Sequence, residues 1–340
     1  MLIDRFGRRH TRLRISVTDR CNLRCTYCMP ESNPDYMPRD HLLTFEEIDR
    51  IVRVAAGMGV THVRLTGGEP LVRPQIDQLV QRLNAIPAIQ DVSITTNAIL
   101  IPQHAQSLWD AGLRNVNISC DALERKVFAA ATRRDLLPTV LDGIDAARSI
   151  GMNVKINAIA QRGITEGQLA AFAEWTRRTN IPIRFIEFMP LDADQHWSDA
   201  DVYSGREILQ QLELLVMPLV SIDAEASQMN TEQAPAAPSR DYMFGDGRGR
   251  IGIIASVTQP FCGNCNRFRL TADGRLRSCL FGSDDADLRE LVRTPGINSD
   301  QLDQRLADAM AETIAAKKRG HGTDDLQFAR PDRPMYAIGG

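Results

Sequence analysis

Three cysteines stand close together near the start of the chain, in the order Cys21-x-x-x-Cys25-x-x-Cys28. They directly follow a strand predicted at Leu13–Thr18, and barrel folds place their active sites in loops after strands. Three thiolates in one short loop can hold a compact metal centre. A structural zinc site usually has four ligands, often as two separated pairs, whereas a [4Fe–4S] cluster held by three cysteines leaves one iron open. The spacing therefore favours an iron–sulfur cluster.

A glycine-rich turn with the sequence Leu-Thr-Gly-Gly-Glu-Pro (Leu65–Pro70) follows a strand predicted at His62–Thr66. Adjacent glycines allow a backbone to approach a ligand closely because they carry no Cβ. This turn and the cysteine loop, with Tyr27 before its last cysteine, resemble the signature of the radical SAM superfamily. The resemblance implies that S-adenosylmethionine (SAM) binds the open iron, and that an electron from the cluster breaks its C–S bond to form a 5′-deoxyadenosyl radical.

A second set of three cysteines, Cys262-x-x-Cys265 and Cys279, stands in the last third of the chain. Asp273–Gly274 lies between two leucines and is a strong hairpin signal, so the chain can fold back and bring the three thiols together. The residues alone allow two interpretations: a zinc ribbon that lacks one ligand, or a second cluster with an open iron facing a substrate. Cys120 is the one cysteine of the seven that belongs to neither set, and we interpret it as a small buried residue.

The elements that position these cysteines alternate between short strands and amphipathic helices. The strands predicted in the first two thirds are Leu13–Thr18, His62–Thr66, Val92–Asn97, Asn115–Cys120, Asn153–Ile159 and Ile183–Met189. Thr44 and Glu47 form a capping box that opens the first helix, and Thr165 with Gln168 is predicted to open a later one in the same way. Repeated strand–helix units predict a parallel sheet with right-handed crossovers, either open or curled into a partial barrel.

The alternation within the strands favours the barrel. A parallel strand that is buried on both faces has a nearly continuous apolar sequence, but each of these strands has one apolar and one polar face. A full eight-stranded barrel fills its interior with branched apolar side chains, so the polar faces indicate an interior that holds water or a polar ligand. We therefore predict an α/β fold, a partial (β/α)6 TIM-like barrel, with a C-terminal α+β extension that carries the second cluster.

Positive side chains concentrate on the predicted interior faces. Arg14, Arg64 and Lys155 fall on the polar sides of their strands, and Arg267 and Arg269 share one strand face beside the second cysteine set. Buried cations need anions because unpaired charge is costly to desolvate, and the arginine fork matches phosphate oxygens. A triphosphate would satisfy these groups. The sequence contains no P-loop, so the nucleotide is not held as in phosphoryl-transfer enzymes.

The composition limits the remaining classes of function. The chain has 340 residues, of which 43% are hydrophobic and 24% charged, with a net charge of −3, so it gives no sign of nucleic-acid or membrane binding. It has neither a secretory signal nor an apolar run of the roughly 20 residues that a membrane span needs, so we expect a cytoplasmic protein. We divide it into a radical SAM barrel (1–222), a linker or variable excursion (223–241) and an auxiliary-cluster region with a Gly-Gly tail (242–340).

With both cysteine sets in place, nearly the whole chain resembles the GTP 3′,8-cyclase family of molybdenum cofactor biosynthesis; the resemblance is weakest at 223–241. It implies a lyase with two [4Fe–4S] clusters and SAM. The adenosyl radical would abstract the 3′ hydrogen of GTP, and the ribose radical would attack C8 of guanine, giving (8S)-3′,8-cyclo-7,8-dihydroguanosine 5′-triphosphate. A flavodoxin- or ferredoxin-like electron donor, product transfer to cyclic pyranopterin monophosphate synthase and a homodimer are further expectations for such a family member.

The resemblance also assigns roles to individual positions. The SAM cluster is assigned to Cys21, Cys25 and Cys28, and the auxiliary cluster, whose open iron takes the guanine, to Cys262, Cys265 and Cys279. Contacts with SAM are assigned to Tyr27, Gly68, Ser119 and Met189. Contacts with GTP are assigned to Arg14, Arg64, Thr95, Lys155, Arg267 and Arg269. The terminal Gly339–Gly340 pair is interpreted as a tail that reaches the active site, although from the residues alone it would be a frayed terminus.

Two other hypotheses stay open at this point. The first is a different radical SAM enzyme with an auxiliary cluster, acting on a peptide or another small molecule. Such an enzyme would not need this many interior cations and would not bind GTP. The second is a zinc-binding structural or adaptor protein, which would be colourless and would contain zinc without sulfide when purified without oxygen.

Overall fold

A computed structural model of the protein describes residues 1–222, 238–321, 330–331 and 333–339. Within these ranges, twelve strands form one sheet. In chain order they are β1 (Arg12–Ser16), β2 (His62–Thr66), β3 (Asp91–Thr96), β4 (Asn115–Ser119), β5 (Asn153–Ala160), β6 (Ile183–Glu187), β7 (Leu219–Ser221), β8 (Arg240–Phe244), β9 (Arg250–Ile254), β10 (Arg267–Leu270), β11 (Arg275–Arg277) and β12 (Ala286–Asp287).

The helices of the same ranges lie mainly between the parallel strands. They are α1 (Phe45–Gly57), α2 (Ile76–Asn84), α3 (Ile101–Asp110), α4 (Arg125–Thr132), α5 (Leu137–Ser149), α6 (Leu169–Thr179), α7 (Gly205–Leu215), α8 (Leu288–Val292), α9 (Ser299–Ala315) and α10 (Met335–Ile338). No helix in the described ranges combines the length and the apolar character needed to cross a membrane.

The strands β1 to β6 are parallel neighbours in chain order, as predicted. The C-terminal part of the chain then adds strands to both edges, because β10 pairs in parallel with β1 and β9 pairs in parallel with β6. The complete order is β12-β11-β10-β1-β2-β3-β4-β5-β6-β9-β8-β7. The predicted partial barrel with a C-terminal extension is therefore confirmed. The extension lengthens both edges of the barrel sheet, which the strand–helix pattern did not predict.

The alternation along the strands separates the apolar core from the interior. On β1, Leu13 and Ile15 are fully buried, while Arg14 between them lines the interior cavity. The register places Arg14 opposite Arg64 on β2 and opposite Arg269 on β10. Because side chains alternate between the two faces of a strand, one face of each strand packs against the helices and the other carries the polar residues.

One of the two capping-box predictions is wrong. Thr44 and Glu47 do form the box at the start of α1, but Thr165 and Gln168 do not form one at α6. The hydroxyl of Thr165 accepts a hydrogen bond from the N–H of Gln161 (3.0 Å). The side-chain oxygen of Gln168 accepts one from the N–H of Leu123 (3.0 Å). Thr165 thus binds the turn just before the helix, and Gln168 binds the loop after β4, 45 residues earlier in the chain, a contact that the local sequence does not reveal.

The carboxylate of Glu187, at the end of β6, joins three elements inside the protein. It accepts hydrogen bonds from the N–H of Gly205 at the start of α7 (2.9 Å) and from the N–H of Val257 (2.9 Å). It also accepts from the N–H and the hydroxyl of Thr258 (2.8 and 2.6 Å). The side chain is 1% exposed, so water cannot replace these bonds. Glu187 therefore fixes α7 and the loop after β9 to the barrel.

We expect Glu187→Ala to lower the free energy of unfolding by about 3 kcal/mol, because several buried donors would lose their acceptor. Urea unfolding of the cofactor-free protein, followed by circular dichroism, measures this change. Glu174→Ala is the matched control, since Glu174 is exposed on α6, and it should unfold at the wild-type midpoint. A loss below roughly 1 kcal/mol for Glu187→Ala would show that these bonds contribute no more than a typical hydrogen bond.

Candidate active site

One cavity runs through the barrel interior and is lined by both cysteine sets. Cys21 follows the C-terminal end of β1, which is Ser16. Cys265 precedes β10, whose first residue, Arg267, pairs with Arg12 at the N-terminal end of β1. The two sets thus lie at opposite ends of a five-residue strand, about 16 Å long at roughly 3.3 Å per residue. That separation leaves room for two ligands between them.

The structure brings most of the predicted site residues to this cavity. Its lining includes the cysteines Cys21, Cys25, Cys28, Cys262, Cys265 and Cys279, the predicted SAM contacts Tyr27, Gly68, Ser119 and Met189, and the predicted GTP contacts Arg14, Arg64, Thr95, Arg267 and Arg269. Lys155 is absent from that lining. It lies on β5 opposite Asn117, which in turn lies opposite Thr95, so all three share one row across the sheet.

The loop after β1 is held in shape by the end of α4. The N–H groups of Arg24 and Thr26 donate to the carbonyls of Thr132 and Ala131, the last residues of that helix (3.1 and 2.9 Å). Arg133, the next residue, donates to the carbonyl of Met29 (3.1 Å). The first two contacts use carbonyl groups that an α-helix leaves unpaired at its C-terminus. The cysteine loop is therefore shaped by the protein itself.

Hydrogen-bond donors point at the sulfur of Cys21. The N–H of Leu23 lies 3.4 Å from it and the side-chain amide of Asn97 lies 3.8 Å from it. Burial, followed by the charge of Glu69, raises the pKa of the Cys21 thiol to about 12. Burial likewise raises the thiol pKa values of Cys25 and Cys28. Coordination to a metal centre deprotonates such thiols, and the donors then stabilise the resulting thiolate, so this set fits an iron–sulfur cluster.

The glycine pair after β2 packs directly against the cysteine loop. The N–H of Gly68 donates to the carbonyl of Thr18 (2.7 Å), and the N–H of Glu69 donates to the carbonyl of Arg20 (2.8 Å). A Cβ on Gly68 would lie 2.4 Å from the carbonyl oxygen of Arg20, so a larger residue would displace that loop. The glycines were predicted to let the backbone approach a ligand, and the structure shows that they also allow close contact between two loops.

Two buried carboxyl groups line the cavity near the first cysteine set, and the sequence analysis did not predict them. Glu69 accepts hydrogen bonds from the hydroxyl of Thr96 and the N–H of Asn97 (2.7 Å each), and burial raises its pKa to about 7. Asp121 accepts from the N–H of Ile159 (2.8 Å), and burial raises its pKa to about 6. Glu69 directly follows Gly68 and Asp121 lies two residues after Ser119, both predicted SAM contacts, and this proximity is the signal that could have identified them.

The second cysteine set lies in a cationic environment. Cys262 and Cys265 flank a short turn before β10, and Cys279 follows the β10–β11 hairpin. The ammonium group of Lys317 lies 3.6 Å from the sulfur of Cys265. Burial alone would raise the pKa of Cys265, but the charges of Lys317 and Arg267 outweigh it and lower the pKa to about 7. A thiol that ionises this readily is well suited to bind metal.

No three His, Cys, Asp or Glu side chains in the described ranges converge tightly enough to bind a single metal ion. A [4Fe–4S] cluster does not require such convergence, because each of its cysteines binds a different iron. The shared cavity wall and the hydrogen-bond donors of the cysteine sets therefore remain compatible with two such clusters.

The cavity also contains a row of cations, of which Arg269 is buried. Arg269, Arg14 and Arg64 lie next to one another across β10, β1 and β2. Burial, together with neighbouring positive charge, lowers the pKa of Arg64 to about 10 and that of Arg269 to about 9. Arg184 on β6 was not predicted; it lines the same cavity, and its Nε has no hydrogen-bond partner within the described ranges. Such a group of cations favours a polyanionic ligand.

The C-terminal segment reaches this row. The guanidinium of Arg269 donates to the carbonyl of Gly339. Upstream, Arg333 forms an ion pair with Asp284 (2.9 Å), beyond the β10–β11 hairpin. Gly340, the other half of the predicted glycine tail, lies outside the described residues. The structure thus places Gly339 directly against a predicted GTP contact.

Comparisons with known proteins agree with this arrangement. The family models described as Radical SAM superfamily and Molybdenum Cofactor Synthesis C match residues 15–176 and 181–323. GTP 3′,8-cyclase from Rhodopirellula baltica is 45% identical, with 100% of this chain and 92% of that protein covered. GTP 3′,8-cyclase from Streptomyces coelicolor is 42% identical, with 100% and 96% covered. Streptococcus suis SuiB bound to S-adenosylmethionine shares the fold, with a TM-score of 0.58 at 15% identity over 91% of this chain and 68% of SuiB.

These matches identify the family. The radical SAM match includes the first cysteine set, and the C-terminal match includes the second. SAM and two [4Fe–4S] clusters are the cofactors of enzymes with this combination of regions. With identities above 40% over nearly complete relatives, the chain belongs to the GTP 3′,8-cyclase family within the radical SAM superfamily.

Proposed function

We propose that this enzyme cyclises GTP to (8S)-3′,8-cyclo-7,8-dihydroguanosine 5′-triphosphate, the first step of molybdenum cofactor biosynthesis. One observation carries the proposal: two three-cysteine sets and a row of arginines line a single cavity. A metal-binding adaptor protein would have no use for an enclosed cationic interior. A radical SAM enzyme acting on a peptide would have no need for Arg14, Arg64, Arg184 and Arg269 in its cavity.

The end of the cavity at the first cysteine set binds SAM. Cys21, Cys25 and Cys28 would hold the cluster there, which with SAM would supply a 5′-deoxyadenosyl radical. Four contacts to SAM come from the ends of β1, β2, β4 and β6 or from the loops that follow them, namely Tyr27, Gly68, Ser119 and Met189. Because they approach from separate strands, they hold SAM inside the barrel and exclude water from the reacting groups.

The remaining part of the cavity binds GTP. Cys262, Cys265 and Cys279 hold the auxiliary cluster, against which the guanine lies. The side chains that bind GTP are Arg14, Arg64, Thr95, Lys155, Arg267 and Arg269, to which we add Arg184. GTP bound between the two cysteine sets would have its ribose on the side of the first set, where SAM would supply the radical that takes the 3′ hydrogen.

We expect deuterium from GTP labelled at the 3′ carbon to appear in 5′-deoxyadenosine, because the hydrogen passes directly from the ribose. The experiment uses anaerobically reconstituted protein, a strong reductant, SAM and mass spectrometry. GTP labelled at the 5′ carbon is the control and should give unlabelled 5′-deoxyadenosine.

The other outcomes of this experiment discriminate between the hypotheses. Unlabelled 5′-deoxyadenosine from the 3′-labelled substrate would exclude attack at that carbon and would favour a different substrate, such as a peptide. If protein with full iron and sulfide content forms no 5′-deoxyadenosine at all, radical SAM chemistry itself is excluded.

We also propose the partners and the organisation of the enzyme. A flavodoxin- or ferredoxin-like protein supplies the electron, the product passes to cyclic pyranopterin monophosphate synthase, and the enzyme forms a homodimer. Reduced thiols are needed for both clusters, which supports a cytoplasmic location. The division into 1–222, 223–241 and 242–340 remains our proposal. Residues 223–237 lie outside the described ranges, and β8 begins within the proposed excursion, at Arg240.

A further inference from the structure

A lysine from beyond α9 reaches the second cysteine set. Lys317 lies two residues after the end of that helix and is only 4% exposed. Its ammonium group lies 3.6 Å from the sulfur of Cys265 and donates a hydrogen bond to the carbonyl of Arg267 (2.6 Å). Burying an ammonium group is costly unless it is paired. The sulfur of Cys265, as a thiolate, provides that partner.

Contacts from the N-terminus hold the segment of Lys317 in place. The guanidinium of Arg8 donates to the carbonyls of Lys318 and Arg319 (2.7 and 2.9 Å), and to the carbonyl of Cys262 (2.6 Å). One arginine thus connects the chain after α9 with the loop of the second cysteine set. The distance between the ammonium group and the Cys265 sulfur is therefore set by the fold.

The charges around the two cysteine sets have opposite signs. The carboxyl groups of Glu69 and Asp121 line the cavity near the first set, whereas Arg267, Arg269 and Lys317 line it near the second. A cluster becomes more negative when it gains an electron. Nearby cations therefore raise its reduction potential, and hydrogen bonds to its sulfurs act in the same direction.

We propose that Lys317 is a positioning residue that raises the reduction potential of the auxiliary cluster through the sulfur of Cys265. The proposal rests on the proposed function only in that the second cysteine set holds a cluster. Lys317 makes no contact with GTP in this role, and no bond forms or breaks. Its charge and its N–H donor stabilise the more reduced form of the cluster over the more oxidised one.

Potentiometric titration followed by electron paramagnetic resonance tests this inference on the reconstituted full-length protein. The auxiliary-cluster signal is the one that persists when Cys21, Cys25 and Cys28 are all replaced by alanine. We expect Lys317→Gln to lower its midpoint potential by about 59 mV, which corresponds to a tenfold change in a one-electron equilibrium. Lys317→Arg keeps the charge and should restore most of the difference.

The matched control is Lys318→Gln, since Lys318 is the exposed neighbour; its auxiliary cluster should keep the wild-type potential. An unchanged potential in Lys317→Gln at full iron content would overturn the proposal. So would equal shifts of both clusters, or a Lys317→Arg shift as large as that of Lys317→Gln, because either result indicates a general structural effect. If GTP does not react, the proposed function fails but the potential of the auxiliary cluster can still be measured. If the wild type gives no second cluster signal, the auxiliary site itself is refuted.

Discussion

Replacing Cys279 with alanine is expected to abolish GTP cyclisation while SAM cleavage continues. Cys279 lines the cavity at the end opposite the first cysteine set, so its loss disturbs the auxiliary cluster and the place of the guanine. The cluster that cleaves SAM keeps all three of its ligands. We expect the cyclised product to fall by more than about 100-fold, the upper limit for changes outside the ligand set of a metal site. Chromatography of the product and of 5′-deoxyadenosine from the same reaction measures both activities.

Cys120→Ala is the matched control for this variant. Cys120 is buried, and its sulfur lies 3.3 Å from the carbonyl oxygen of Ala122, where the thiol hydrogen-bonds. It belongs to neither cysteine set, so the variant should form both products at near wild-type rates. Normal cyclisation by Cys279→Ala would refute the role that we give to the second cysteine set.

The second large effect is expected for Arg64→Ala, which should weaken GTP binding by about 10- to 100-fold and leave SAM binding nearly unchanged. A hydrogen bond to a charged group contributes about 1.5–3 kcal/mol, and each 1.4 kcal/mol corresponds to about tenfold in affinity. Arg64 lines the cavity between Arg14 and Ser93 in the sheet register, away from the first cysteine set. Anaerobic titration calorimetry with each ligand measures the two affinities.

Arg12→Ala is the control that separates this local effect from a general loss of positive charge. Arg12 precedes Arg14 on β1, but it is exposed and does not line the cavity. Its replacement should leave both affinities unchanged. Lys155→Ala should act in the same direction as Arg64→Ala, but less strongly because Lys155 is outside the cavity lining. Equal losses of GTP and SAM affinity in Arg64→Ala would contradict our division of the cavity.

The sequence alone was sufficient to predict the features whose residues are close together in the chain. Cys21, Cys25 and Cys28 line one wall of the cavity because a single loop carries them, and their number favours a cluster with an open iron over an ordinary zinc site. The alternation around Arg14 and Arg64 predicted a polar barrel interior, because neighbouring side chains on a strand point to opposite faces. The Asp273–Gly274 pair was likewise enough to predict the β10–β11 hairpin, because a tight turn depends on the backbone conformation of its own residues.

The tertiary structure decided the features that depend on strand pairing over long distances in the chain. Local patterns could not show that β9 and β10 join opposite edges of the barrel, nor that Cys265 therefore lies a strand length away from Cys21. They could not place Lys317 against that sulfur, because its approach depends on how the C-terminal helix packs. Strand partners are chosen by packing and burial across the whole sheet, whereas a short motif is shaped by its own backbone.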